Sequence, residues 1–306
     1  NSSYEGCLYS AILAIHRESY RQASRLISKA RETLDPELTA LVGESYTRAY
    51  RSLVKVQQLT ELEEIIKYKT TDSDLVRLSI REMWTNRLNG CQSSVDVWQA
   101  ALQIRSMVIP PTEDLSTWLK FSSLCRRSSR LDLAVKTLDH LRADPVAKQH
   151  PRFIVAWLKN RYAAGWKREA CQNMQSFLES VSTNDLSAQL EARCHLKMGL
   201  WTREVYEEET KTSYFNNEQI LGEVLKWFQS SIGLNKEYYK AWNAWALTNF
   251  QVVEAREAAA QRRAAEDAPG SGSGSSSFGV MAASPRSPLG SFDVSAASPR
   301  ERAKSF

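Results

Sequence analysis

The chain has 306 residues, of which 42 % are hydrophobic and 25 % charged, enough apolar content for a buried core. No apolar run approaches the roughly 20 residues a membrane span needs, so a transmembrane segment is excluded. Forty basic against 35 acidic residues leave a net charge of +5 with no block of five like charges, which argues against a nucleic-acid-binding protein or a membrane-binding patch.

The first residues, NSSYEGCLYSAIL, lack a Met and a basic stretch, so they do not read as a signal peptide, and the chain is expected to be cut from something longer. Residues 9–34 carry helical periodicity, with Ala23, Leu26, Ile27, Ala30 and Leu34 on one side, and Asp35-Pro36 punctuates. A helix over 38–56 follows, then a turn near Gln58-Leu59-Thr60 and a helix over 61–68 with Leu62, Ile65 and Ile66 inward. Thr70–Asp74 is a polar break. Helices around 75–88, with Trp84, and 94–107, with Trp98, are separated by Asn89-Gly90, and Pro110-Pro111 ends the second.

The stretch Trp118–Pro145 shows the repeating unit most clearly. Its first helix places Trp118, Phe121, Leu124 and Cys125 on one face. Arg127-Ser128-Ser129-Arg130 makes the turn. The second helix carries Leu131, Ala134, Val135, Leu138 and Leu141, and Asp144-Pro145 stops it. Trp118, Phe121, Ala134, Leu138 and Pro145 match the spacing of a tetratricopeptide unit, in which the small Ala lets the two helices lie close. Anchored on that residue, the repeat runs Ala23, Leu62, Ala100, Ala134 and Ala170, with Ile27, Ile66, Ile104, Leu138 and Met174 four positions later. Leu62 is not small, so its pair is expected to pack more loosely. Two weaker units follow, one around Cys194, Leu196 and Gly199-Leu200-Trp201, the other from Leu221 into 237–252. The pattern predicts an all-α fold, an α-solenoid of tetratricopeptide-like hairpins.

Residues 251–267 should extend the last helix. Beyond them the chain turns Gly/Ser/Pro-rich and loses all periodicity, which predicts a disordered segment. The expected organisation is thus a helical domain over 1–267 and a low-complexity linker over 268–306. Ser284, Ser287 and Ser298 each precede a Pro near an Arg and are candidate phosphosites, set against ordinary low-complexity composition.

Catalytic motifs are missing. His16, His140, His150 and His195 are scattered, and Cys194 and His195 point about 100° apart on a helix, so no metal site is predicted. No phosphate loop, H-R-D or D-F-G occurs. Four of the five cysteines (Cys7, Cys91, Cys125, Cys171, Cys194) fall in apolar helical patterns and read as core thiols of a reducing compartment, the cytosol. Trp84, Trp98, Trp118, Trp157, Trp242 and Trp245 read as inter-helix packing. One basic constellation stands out. Arg126, Arg127 and Arg130 share a turn, and Lys159, Lys167 and Arg168 fall in the next unit; stacking would bring the groups together as a polyanion pocket, against the plainer reading of a solvated turn.

The runs ASRLISKARETLDPELTALVGESYTRAY with LTELEEIIKYK, IRSMVIPPTEDLSTWLKFSSLCRRSSRLDLAVKTL, ARCHLKMGLW and YYKAWNAWALTNF together resemble the FAT region of the target of rapamycin kinases over most of residues 20–250. The 269–306 tail departs from it, at a place where the family carries a variable insert. The resemblance implies a tetratricopeptide-like part of a helical clamp around the C-terminal serine/threonine kinase domain of the same parent chain. Complex subunits and regulators would touch it, in growth signalling. It also implies an inositol polyphosphate in a basic pocket, carried over here to Lys159 and Lys167, although Arg161 and Tyr162 between them differ from the family's pattern. ATP and Mg would belong to a kinase domain that these residues do not contain, so this segment itself would catalyse nothing. The implied location is cytoplasmic, with recruitment to a vacuolar or lysosomal surface through the complex. The rival reading is a free-standing tetratricopeptide-type peptide-binding adaptor.

Overall fold

The computed structural model describes residues 3–180 and 186–266. Among these the regular structure is helical with no strand. The α-helices are α1 (Tyr4–His16), α2 (Tyr20–Glu44), α3 (Tyr46–Thr70), α4 (Asp74–Gly90), α5 (Val95–Arg105), α6 (Leu115–Arg127) and α7 (Leu131–Arg142). After them come the short α8 (Pro145–Gln149), then α9 (Pro151–Ala163), α10 (Lys167–Ser180), α11 (Ala188–Thr210), α12 (Glu218–Leu234) and α13 (Tyr239–Glu266). One compact unit spans Asn1–Arg256; the end of α13, from Glu257, falls outside it. The expected linker over 268–306, with Ser284, Ser287 and Ser298, lies outside the described residues.

Neighbouring helices pack as antiparallel hairpins, α1 on α2, α6 on α7, α9 on α10 and α11 on α12, stacked into the α-solenoid. Three of the connections are the same turn. Glu18, Ser129 and Gly165 have φ of 58°, 60° and 98°. In each, the turn residue's N–H donates to the carbonyl three residues back and the next N–H to the carbonyl five residues before it: Glu18 to Ile15 and Ser19 to Ala14, Ser129 to Arg126 and Arg130 to Cys125, Gly165 to Tyr162 and Trp166 to Arg161. This is the Schellman closure, which satisfies the last carbonyls of the first helix. Of the three, only Gly165 adopts the left-handed backbone without a steric cost.

The small residue of the repeat follows five positions after each of these turns. Ala23, Ala134 and Ala170 are all 0 % exposed, as are Ile27, Leu138 and Met174 four residues on. The expected repeat thus holds for three units, and the two between them differ. Leu62 opens no second helix: α3 runs unbroken from Tyr46 to Thr70, and no turn interrupts it at Gln58-Leu59-Thr60. Leu59, Leu62 and Ile65 are all fully buried, so one apolar stripe continues through the segment. The polar residues that suggest a turn have partners on other helices: the Tyr4 hydroxyl donates to Gln58 at 2.8 Å and Arg31 to Thr60 at 3.4 Å. In the next unit Ala101, not Ala100, is the buried small residue.

Two prolines also depart from expectation. Pro36 lies inside α2, not between helices. It and Glu32, whose carbonyl loses its helical partner, are exposed, so water can take over that bond. Pro145 does stop α7 but starts α8, where its missing N–H costs nothing and the Asp144 carboxylate accepts from the Val146 N–H at 2.8 Å. The predicted 9–34 segment is split at Arg17-Glu18-Ser19 by the first of the three turns. Trp84 and Trp98 are buried and Trp118, Trp157 and Trp245 partly so, but Trp242 is 46 % exposed and does not face inward.

The irregular segment is tied by a buried ionic network. Glu61 of α3 meets Arg105 of α5 at 2.7 Å and Arg87 of α4 at 3.4 Å, while Glu64 accepts from Arg87 at 2.7 Å and from the Trp84 indole at 2.6 Å. In the regular part, α9 lies against α6 and α7, and Tyr162 of α9 stacks on Trp201 of α11 at 4.1 Å between ring centroids. Two residues earlier on α11, a Cβ on Gly199 would come within 2.5 Å of the Phe228 ring, so α12 approaches here as only a glycine permits.

Candidate functional site: a basic cavity between three hairpins

The first helices of three successive hairpins, α6, α9 and α11, enclose a cavity of about 330 Å³. Helical spacing decides which residues reach it. Lys120, Ser123 and Arg126 share one face of α6, Arg152, Ala156 and Lys159 one face of α9, and Gln189 and Arg193 lie on the first turns of α11. Ser187 caps α11 by accepting from the Leu190 N–H and sits at the rim. The wall behind is polar and braced: Asn160 donates to Ser122 at 3.1 Å, and the Ser122 hydroxyl donates to the Ala134 carbonyl at 3.3 Å. The Asn160 carbonyl oxygen is buried with no partner among the described residues.

Five cations line this space, Lys120, Arg126, Arg152, Lys159 and Arg193, and none makes an ion pair among the described residues. The electrostatic result is marked at Lys159. Burial pushes its ammonium down to about 8; the Cys194 thiol opposes this, and Lys197, Arg126 and Arg193 add to it. Arg126 is lowered by burial and by Arg127, and Lys197 by burial, Arg126 and Lys240, with Glu204 opposing. Positive charge is held here without its counter-charge, and a multivalent anion is the chemistry that relieves it.

The structure brings together Arg126 and Lys159 from the predicted constellation, and separates the rest. Arg130 pairs with Asp96 at 2.7 Å. Arg168 pairs with Glu209, its Nε 2.9 Å from the carboxylate. Lys167 is held by Glu204 at 2.7 Å and by Glu208, and lies over the Tyr162 ring. Arg127 only leans on its own helix, at 3.4 Å from the Ser123 carbonyl. Sequence reasoning misses Lys120, Arg152 and Arg193. A signal exists, since Arg152 and Lys159 are seven apart, as two residues on one helical face are. Nothing in the sequence marks that face as the one turned to α6. Among the described residues no group of three or more His, Cys, Asp or Glu is placed to hold a metal, and no helix is long and apolar enough to cross a membrane.

Comparison with known proteins gives the family. Residues 1–271 match the FAT domain model. The chain is 40 % identical over 278 residues to the serine/threonine-protein kinase TOR2 of Saccharomyces cerevisiae, covering 80 % of this chain and 11 % of that protein. It is 35 % identical over 278 residues to the serine/threonine-protein kinase mTor of Drosophila melanogaster, with 85 % and 11 % covered. To the serine/threonine-protein kinase TOR of Arabidopsis thaliana it is 36 % identical over 284 residues, with 83 % and 11 % covered. The chain therefore spans about a tenth of the length of these relatives. Stacked helical hairpins, a match to one helical domain over residues 1–271 and this run of relatives agree: the chain belongs to the FAT domain family, in its target of rapamycin branch.

Proposed function

We propose that this chain is a non-catalytic scaffold segment of a target of rapamycin serine/threonine-protein kinase. It clamps and restrains the kinase domain of the same longer chain in nutrient and growth signalling, and offers faces to other helical repeats, complex subunits and regulators. Its place is the cytoplasm, with recruitment to a vacuolar or lysosomal surface through the complex. The relatives, all named as serine/threonine-protein kinases, support this reading. Within the segment, the basic cavity takes an inositol polyphosphate as a structural ligand, with Lys159, Arg126, Arg152 and Arg193 as the phosphate contacts. The observation that carries this is the gathering of cations from three hairpins around one cavity with no carboxylate to meet them among the described residues. Lys167 serves differently: held by Glu204 and Glu208, it fastens the start of α10 to α11.

Calorimetric titration with inositol hexakisphosphate tests the ligand. Binding should weaken by about tenfold or more for each of Lys159→Gln and Arg193→Gln, since a charge-assisted bond is worth roughly 1.5–3 kcal/mol. Lys167→Gln should leave it nearly unchanged. Equal affinity in Lys159→Gln and the unmodified chain would remove the cavity from consideration. The scaffold role is tested by crosslinking in a full-length kinase of this family, where residues 20–250 should link to the kinase domain. A complete lack of such links would count against the clamp.

A further inference from the structure

The same cavity carries a second property, which rests on the polyanion reading above. Lys159 sits among cations presented by α6, α9 and α11. Arg126 faces it from α6, Arg193 and Lys197 face it from α11, and Arg152 shares its own helix and cavity. The Cys194 thiol beside it is itself pushed up to about 11 by burial and so is neutral. The acids of α10 and α11 that form ion pairs form them with other cations. On α10, Glu169 holds Arg161. On α11, Glu204, Glu208 and Glu209 hold Lys167 and Arg168; Glu191 lies 3.7 Å from His195, whose imidazole is held below its ordinary value by burial, so at neutral pH this contact is no charge pair. On α7, Arg142 lies over the Trp157 ring of α9.

An ammonium in such a place has two ways to shed its repulsion: lose its proton, or gain an anion. The two are alternatives, so they compete. We infer that polyanion binding in this cavity is coupled to proton uptake at Lys159, so that the cavity is a pH-sensitive clamp that grips its anion at neutral pH and loosens as the medium turns alkaline. The sign follows from the environment. In the empty cavity the ammonium is held down to about 8. A multiply charged anion beside it favours the charged form and moves it back up. Between those two limits the bound state keeps a proton that the empty state lacks, so affinity must fall as pH rises through 8. Going from pH 7 to pH 9, one such lysine lowers the association constant by about tenfold.

Phosphate esters titrate in the neighbouring range and would add the opposite slope, so the probe should carry fixed charge. Inositol hexakissulfate keeps all its charges from pH 6 to 10. Titrating it into the purified chain at pH 7, 8 and 9, in buffers of differing ionisation heat, reads both affinity and protons taken up. The expected result is a fall of about tenfold between pH 7 and 9, with uptake approaching one proton at pH 9. Lys159→Arg keeps the charge at all these pH values, so it should still bind, with at least half of the slope gone. A pH-independent affinity in the unmodified chain overturns the inference, as does an undiminished slope in Lys159→Arg. If the probe binds at no pH, the polyanion reading itself falls, which is a different outcome. Should Lys159→Arg fail to fold, as judged by its helical circular dichroism, proton uptake by the unmodified chain still decides the matter.

Discussion

Two clusters of charge are taken out of water in this solenoid, and they are opposite in kind. Around Glu61, at the irregular junction of α3, α4 and α5, two carboxylates and two guanidiniums interlock. Glu61 is 0 % and Arg105 5 % exposed, and each charge has its counterpart within 3.4 Å. Around Lys159, between α6, α9 and α11, cations gather with no counter-charge among the described residues. The first cluster is closed. Like the Schellman turn elsewhere, it fixes neighbouring helices, here ones that lack the regular hairpin geometry. The second is open among the described residues, and the polyanion proposed above would complete it. Two buried charge clusters can thus differ in their internal balance of charge, and the proposed ligand rests on that balance.

The strongest way to break that contrast is to unbalance the closed cluster. Glu61→Gln keeps the shape but leaves Arg105 buried against a neutral amide. Removing one partner of a buried pair costs about 3–5 kcal/mol. Urea unfolding followed by circular dichroism should show a loss of that size. A loss below about 1 kcal/mol would mean that the network is no tighter than a surface pair.

The open cluster should answer the same kind of change with the opposite sign. Lys159→Met removes a repelled charge and keeps the apolar stem, so the ligand-free chain should gain on the order of 1 kcal/mol, read as a rise of roughly 2–4 °C in its melting midpoint. The same substitution should erase most of the stabilisation that inositol hexakisphosphate gives the unmodified chain. A destabilised Lys159→Met would show that Lys159 has a structural partner.

What the amino-acid order reveals of the fold and of the cavity follows the same divide. The buried Ala and large apolar residue of the three regular hairpins are readable because their signal is local, four positions apart on one helix, whereas the turn at Arg17-Glu18-Ser19 is not and leaves 9–34 reading as one segment. Nor is the continuity of α3 readable, because Gln58 and Thr60 look like turn residues until Tyr4 and Arg31 reach them from helices far along the chain. For the same reason only part of the basic cluster is readable: Arg126 and Lys159 line the cavity, whereas Arg130, Lys167 and Arg168 are paired away from it. Which cations remain free depends on acids 34 to 41 residues distant, Asp96 for Arg130 and Glu204, Glu208 and Glu209 for Lys167 and Arg168. Composition shows that both signs are present; only the stacking of hairpins pairs them off.

A finer test of the contrast uses pH. In the unfolded chain Lys159 titrates at its ordinary value of 10.5, but in the fold at about 8. Between these values the unfolded state holds the extra proton, so this lysine's penalty is full below pH 8 and is relieved as pH rises through that window. Cys125 and Cys171, pushed up by burial to about 11 and about 12, act the other way above pH 9. The clean quantity is therefore a difference. The stability gap between Lys159→Met and the unmodified ligand-free chain should shrink steadily from pH 8 to pH 10 in paired urea titrations. A constant gap would mean that Lys159 carries no buried charge to relieve.

The smallest effect is expected where a cation of the predicted constellation is paired in the open. Arg130 and Asp96 join the turn after α6 to the first turn of α5 at 2.7 Å, but their side chains are 50 % and 72 % exposed. Water already solvates both, and the long Arg130 side chain must be held still to keep the bond. Arg130→Ala should thus cost under about 1 kcal/mol, and about 0.5 M salt should remove most of what there is. It should also leave polyanion affinity within about twofold, because Arg130 does not line the cavity. Chemical unfolding at low and high salt, beside a titration with inositol hexakisphosphate, reads both. If Arg130→Ala weakened the anion as strongly as Lys159→Gln, the positive field of the whole turn would be the binding element, and the boundary between open and paired cations would have to move outward to include it.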